Sequence, residues 1–360
     1  MGRLLTAGNI LRLLLVFVPV AIYLGLTQAS PTWVFLFSCL AILPLAGLMG
    51  EATEHITHHT GPGIGGLLNA SFGNAAELII AFIALRAGET EIVKASLTGS
   101  IIGNLLMVLG LSMLVGGWKH KELRFSRIAG ESGSSMMVLG VVALVIPAIY
   151  ANISHHKNPG HIESLSFDIS WVLLLTYAAS LVFSLKSHKH LFAGEGVDDL
   201  SAEGQEGKVW TVAKSLAVLI GAAGFVGWIS EFLVHAVGEA GASMGMSKVF
   251  MGVVVVAIVG NAAEHSTAVL MAAKGKMDLA LGIAMGSSMQ IALFVAPVLV
   301  IAGHFMGQPL GLEFTILEVV AVFLSVGAVS LLVLDGRTNW FEGVQLLAVY
   351  SILAMAFYFV

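Results

Sequence analysis

The chain has 360 residues, 57% of them hydrophobic and only 11% charged, with a mean hydropathy of +0.93. Soluble domains carry about 25% charged residues, so this composition excludes a water-soluble fold. The formal charge of −5 has a local origin, because Glu195, Asp198, Asp199, Glu203 and Glu206 follow one another with no base between them. The lone cysteine, Cys39, excludes an intrachain disulfide and a cysteine-based metal cluster.

Apolar runs recur from Leu13 to Val360 and predict an all-α polytopic membrane protein of about eleven transmembrane helices. In chain order they fall at about 13–28, 33–58, 66–85, 92–115, 134–151, 169–185, 212–237, 249–273, 278–303, 314–334 and 343–360. The first run lacks a clean small-residue cleavage site after it and is read as a retained helix. Placing the N-terminus in the cytoplasm puts 13 Lys and Arg on the inner side and 4 on the outer side. That bias is the positive-inside pattern and predicts a cytoplasmic N-terminus with the C-terminus opposite. The expected location is the cell (inner) membrane. The expected organisation is an extra helix over 1–30, a five-helix unit over 31–186, an acidic cytoplasmic linker over 187–210, and a second five-helix unit over 211–360. Two odd-numbered units in one chain must lie with opposite orientation, which is the inverted-repeat plan of secondary transporters.

One short stretch is written twice. Gly73-Asn74-Ala75-Ala76-Glu77 returns as Gly260-Asn261-Ala262-Ala263-Glu264, 187 residues on, and Gly99-Ser100 returns as Gly286-Ser287 at the same offset. Two motifs in one register mark an internal repeat. A carboxylate in mid-membrane costs roughly 2.5–3.5 kcal/mol on insertion scales, so Glu77 and Glu264 read as a functional pair at the repeat interface. Asn74 lies three residues before Glu77, and Asn261 three before Glu264, so each pair shares a helix face. Ser100 and Asn104 add oxygens from one half, Ser287 and Gln290 from the other, while Gly99 and Gly286 would let their helices press in or unwind. The set is an oxygen cage suited to a hard cation such as Ca²⁺, with Glu77 and Glu264 as the metal carboxylates. His265, beside Glu264, is the nearby imidazole that could admit Mn²⁺ or carry a proton.

Two buried carboxylates can be neutralised by one divalent cation or by two protons. A carrier that reorients only when neutralised exchanges one for the other. Thr53-Glu54 and Ser230-Glu231 form a looser pair outside the 187-residue register, and Glu54 and Glu231 are read as a vestibule or proton path. Glu54-His55-x-x-His58 carries its glutamate before the first histidine, out of order for the His-Glu-x-x-His pattern of metalloproteases, which argues against an intramembrane enzyme.

On the stretches 65–79, 99–106, 260–265 and 286–292 the chain resembles the cation/proton exchanger family, the Ca²⁺/H⁺ antiporters of the calcium/cation antiporter superfamily. The resemblance implies that Glu77 and Glu264 bind Ca²⁺ and H⁺ in turn, and that Asn74, Asn261, Ser100, Ser287 and Gln290 line the site. Gly103 stands where family members often carry a serine. The implied function is secondary active exchange of Ca²⁺ for H⁺ by alternating access, with the ions and the bilayer as partners, no cofactor and no nucleic acid. The alternatives are a Na⁺/Ca²⁺ exchanger, whose Gly-Thr-Ser-x-Pro-Glu pattern is absent at 260–264, and a Ca²⁺-permeable channel, which uncoupled flux would reveal.

Overall fold

A computed structural model describes residues 13–153, 159–188 and 209–360. The acidic run at 195–206 and the first twelve residues lie outside the described residues, and with them most of the expected linker. Eleven helices run through the described residues. They are α1 (Leu14–Leu26), α2 (Pro31–Phe72), α3 (Ala75–Arg86), α4 (Thr90–Lys119), α5 (Arg127–Ile153), α6 (Gly160–Ser187), α7 (Val212–Ser243), α8 (Lys248–Ala273), α9 (Met277–Met306), α10 (Ile316–Leu332) and α11 (Trp340–Tyr358). Eight of them contain a stretch long and apolar enough to cross a membrane; α1 and α10 are shorter apolar helices, and α3 has 12 residues.

The main departure from the expected boundaries lies between the second and third helices. A loop was expected between about 58 and 66, followed by one helix through 85. Instead the backbone stays helical from Pro31 to Phe72, and the interruption falls at Gly73-Asn74. Asn74 sits at φ −97°, ψ 23°, the sparsely allowed bridge region, and opens α3 without a side-chain cap bond. The duplicated motif is therefore not duplicated in backbone. Gly260-Asn261 lies inside the continuous helical stretch Ala257–Ala273.

Four helices contain a turn of π-helix, at Gly103–Val108 in α4, Phe183–Ser187 in α6, Met251–Val256 in α8 and Ile291–Val295 in α9. Such insertions loosen the i→i−4 ladder and cluster at functional positions. Those in α4 and α9 follow Gly99-Ser100 and Gly286-Ser287 at corresponding places. The irregularity comes from these π turns and not from Gly286, where α9 is regular and an added Cβ would meet nothing within 4 Å.

The contacts divide the chain into two compact units. One comprises α1–α3, α7, the start of α4 to Ser96 and the start of α8 to Ala263. Within it α7 packs along α2 and α3. A Cβ placed on Gly25 would fall 2.5 Å from the Phe232 ring, so α1 seats closely on α7. Thr211 caps α7 by accepting from the Lys214 amide, and Ser247 caps α8 by accepting from the Phe250 amide.

The other unit comprises the rest of α4 and α8 with α5, α6 and α9–α11. Here α11 crosses α4 at glycines: a Cβ on Gly343 would fall 2.5 Å from the Leu114 amide nitrogen and 2.6 Å from the Gly110 carbonyl oxygen. Small residues at such crossings let backbones approach where lipid supplies no hydrophobic drive. Two-residue strands β1 (Leu123–Arg124) and β2 (Arg337–Thr338) pair antiparallel between the α4–α5 and α10–α11 linkers. Glu318, which the sequence reading passed over, is buried and fully engaged. It closes a capping box with Thr315 and accepts from the Thr98 hydroxyl at 3.1 Å.

Candidate ion-binding site

The predicted site residues fall in both units. In the first unit, Asn74 and Glu77 stand at the beginning of α3, and both are buried. The break places Glu77 in the first helical turn, where the helix N-terminus carries partial positive charge and attracts a carboxylate. Asn261 is 2% exposed and donates Nδ2 to the Ala257 carbonyl at 3.0 Å, which commits the nitrogen end of its amide to its own helix. A Cβ built on Gly260 would lie 3.8 Å from the Glu77 Cβ and 3.8 Å from Ile80 Cδ1. The glycine of the second motif copy thus packs on the glutamate of the first.

In the second unit, α4 supplies Ser100 and Asn104, α8 supplies Glu264 and His265, and α9 supplies Ser287 and Gln290. Ser100, Asn104 and Ser287 are buried, whereas Glu264, His265 and Gln290 are half-buried. Asn104, inside the α4 π turn, donates Nδ2 to Ser287 Oγ at 3.0 Å. Its Oδ1 lies 2.9 Å from His265 Nε2. An amide whose nitrogen is spent on Ser287 presents an acceptor to the imidazole, so Nε2 of His265 carries the hydrogen in this arrangement. The Ser287 hydroxyl in turn hydrogen-bonds the Glu264 carboxylate. The result is one directed chain, His265 to Asn104 to Ser287 to Glu264. Sequence spacing gave no signal for it, because its members come from three helices.

At the end of that chain, Glu264 Oε2 is buried with no hydrogen-bond partner among the described residues. A buried polar atom left so costs about 1–3 kcal/mol for a neutral group and more for a charged one. Among the described residues no three His, Cys, Asp or Glu side chains converge.

Glu54 and Glu231 occupy similar local settings. The hydroxyl before each, Thr53 and Ser230, is buried and bonds back to the carbonyl four residues earlier, at 2.9 and 2.6 Å. Glu54 is exposed on α2, whereas Glu231 on α7 takes an ion pair from Arg86 at 2.7 Å. Lys248 makes a second pair with Glu89 at 3.0 Å.

Eight helices long and apolar enough to cross a membrane, several of them carrying π turns, are the architecture of a polytopic membrane protein. The sodium/calcium exchanger protein family matches residues 30–186 and again residues 214–359, and the chain belongs to that transporter family. It is 45% identical over 98% of its length to a Ca(2+)/H(+) antiporter of Synechocystis, covering 98% of that protein. It is 43% identical over 95% of its length to the Ca(2+)/H(+) antiporter ChaA of Bacillus subtilis, covering 96% of it. The solved structure of native YfkE superposes with a TM-score of 0.84 at 40% identity, over 98% of this chain and 100% of that one. An H⁺/Ca²⁺ exchanger structure, CAX, matches with a TM-score of 0.69 at 14% identity over 97% of this chain and 91% of that one, a likeness of fold alone.

Proposed function

We propose that this protein exchanges Ca²⁺ for H⁺ across a membrane by alternating access, with Glu77 and Glu264 taking the cation or protons in competition. The observation that carries the reading is the buried, unpartnered Oε2 of Glu264 at the end of a hydrogen-bonded chain. Such an oxygen is stable when it holds a proton or a cation and costly when it holds neither. Two carboxylates offset one divalent charge, and two protons do the same. The duplication of the motif and the Ca(2+)/H(+) antiporter relatives of Synechocystis and Bacillus subtilis support this reading.

Further oxygens come from Asn74, Asn261, Ser100, Asn104, Ser287 and Gln290. Hard cations of this class take 6–8 oxygen ligands, and carboxylates alone do not supply that number here. His265 is read as a proton-path residue, and its hydrogen-bonded connection toward Glu264 through Asn104 and Ser287 supports that reading. Glu54 and Glu231 act as vestibule acids, and the Arg86 partner tempers the charge of Glu231. All eleven helices are counted as spans in this reading. They form an extra helix and two inverted units of five, with the N-terminus cytoplasmic. Mn²⁺ is a second candidate cargo.

The test is Ca²⁺ uptake into proteoliposomes with an acid interior, comparing wild type with Glu77→Gln and Glu264→Gln. Uptake that collapses with a protonophore and disappears in both variants is the expected result. Uptake driven by internal Na⁺ and indifferent to the pH gradient would refute proton coupling. A leak untouched by either variant would refute the carboxylate mechanism.

A further inference from the structure

Three linkers of the second unit converge at one end of its helices. The α4–α5 and α10–α11 linkers are stitched by β1 and β2, and the Phe125 amide donates to the Gly336 carbonyl at 3.1 Å. The α8–α9 linker joins them. Gly275 turns there with φ +81°, and a Cβ on it would fall 3.4 Å from the His120 ring, while the Ser126 amide donates to Asp278. Between the linkers lies a cleft of ≈ 500 Å³ lined by His120, Glu122, Leu123, Arg124 and Gly275.

Its surroundings are basic. Lys119, Lys121 and Lys274 are exposed, each next in sequence to a residue of its wall, and make no ion pair among the described residues. Glu122, the acid in its wall, is held by Arg124 at 3.0 Å and approached by Arg337 at 4.0 Å. Asp278 accepts from the Ser126 amide, and Asp335 accepts from the Arg337 amide at 3.1 Å. The acids are thus engaged within the linkers while three lysines are left over.

The same level carries aromatic side chains. Trp118 is 79% exposed, Trp340 44% and Phe341 54%, and the two indoles meet edge-on with ring centroids 6.3 Å apart. Exposed tryptophans at the ends of apolar helices sit at the headgroup level of a bilayer. A basic, polar cleft beside such aromatics is chemically suited to a lipid phosphate.

We propose that this cleft binds the headgroup of an anionic phospholipid, with Lys119, Lys121 and Lys274 holding the phosphate and the acyl chains running down past Trp118 and Trp340. The bound lipid braces the ends of α4, α8 and α9, which carry Asn104, Glu264 and Ser287. The binding site stands independently of the ion assignment made above.

The experiment uses the delipidated full chain in neutral detergent. Thermal melting and a binding titration are run with a short-chain phosphatidylglycerol, with phosphatidylcholine of equal chain length, and with inorganic phosphate. Phosphatidylglycerol is expected to raise Tm, with an affinity that falls as salt rises. Each juxtamembrane base is worth about fivefold in binding to anionic lipid. The triple variant Lys119→Gln, Lys121→Gln, Lys274→Gln should therefore bind on the order of 100-fold more weakly, and the corresponding triple Arg variant should retain binding. Equal stabilisation by phosphatidylcholine, full replacement by inorganic phosphate, salt-independent affinity, or unchanged binding by the Gln variant would each overturn the proposal. A lipid response that emerges only after the five acids between 195 and 206 are neutralised would assign the cleft to the chain's own linker, and would overturn it as well.

Discussion

Removing the Asn104 side chain should disconnect Glu264 from His265. Asn104→Ala deletes both the Nδ2 donor to Ser287 and the Oδ1 acceptor of His265. Side-chain hydrogen bonds between membrane helices measure about 0.6 kcal/mol each on average and about 1.7 at most. Two of them put the loss of stability at about 1–3 kcal/mol. The functional loss has a separate origin. Without the amide donor, the Ser287 hydroxyl is free to rotate away from the Glu264 carboxylate. One to two kcal/mol of lost orientation is a factor of about 5–30 in the population of the competent geometry. Proton-driven Ca²⁺ uptake into proteoliposomes should fall by that factor, with melting temperature in detergent recorded alongside. A double-mutant cycle with His265→Ala isolates the shared bond and should give a coupling near 0.6 kcal/mol. Additive effects, or wild-type uptake by Asn104→Ala, would refute a connected chain.

Two further outcomes follow from the packing. Gly252→Val should destabilise by about 1–3 kcal/mol, because even a Cβ at Gly252 would lie 2.5 Å from the Ala95 Cβ and the helices must part; a detergent melting curve reads it. Arg86→Ala should change stability by less than about 1 kcal/mol, since the Arg86 and Glu231 side chains are 60% and 42% exposed, and a melting shift larger than that would assign the pair a structural role.

The sequence by itself determined that the chain lives in a membrane and where most of its helices run, and it singled out Glu77 and Glu264 as the duplicated intramembrane acids. Composition, the 187-residue register and the cost of an intramembrane carboxylate are local or additive properties, so they are legible without coordinates. The spacing of Asn261 to Glu264 also predicts a shared face, because both lie inside the regular helical stretch Ala257–Ala273, whereas at Asn74 the helix is interrupted and the same spacing carries no such guarantee. The tertiary structure decided what regularity cannot. It moved the interruption to Gly73-Asn74, where a residue without a Cβ precedes one that tolerates the bridge region, and so set Glu77 at a helix start while Glu264 stays mid-helix. It also showed that Gly260 of one copy packs against Glu77 of the other, and that Asn104 links His265 to Ser287. These contacts join residues more than 150 positions apart, and which faces of which helices meet depends on the packing of every helix between them. A repeat in sequence announces equivalent parts; only the packed chain determines which part each one touches.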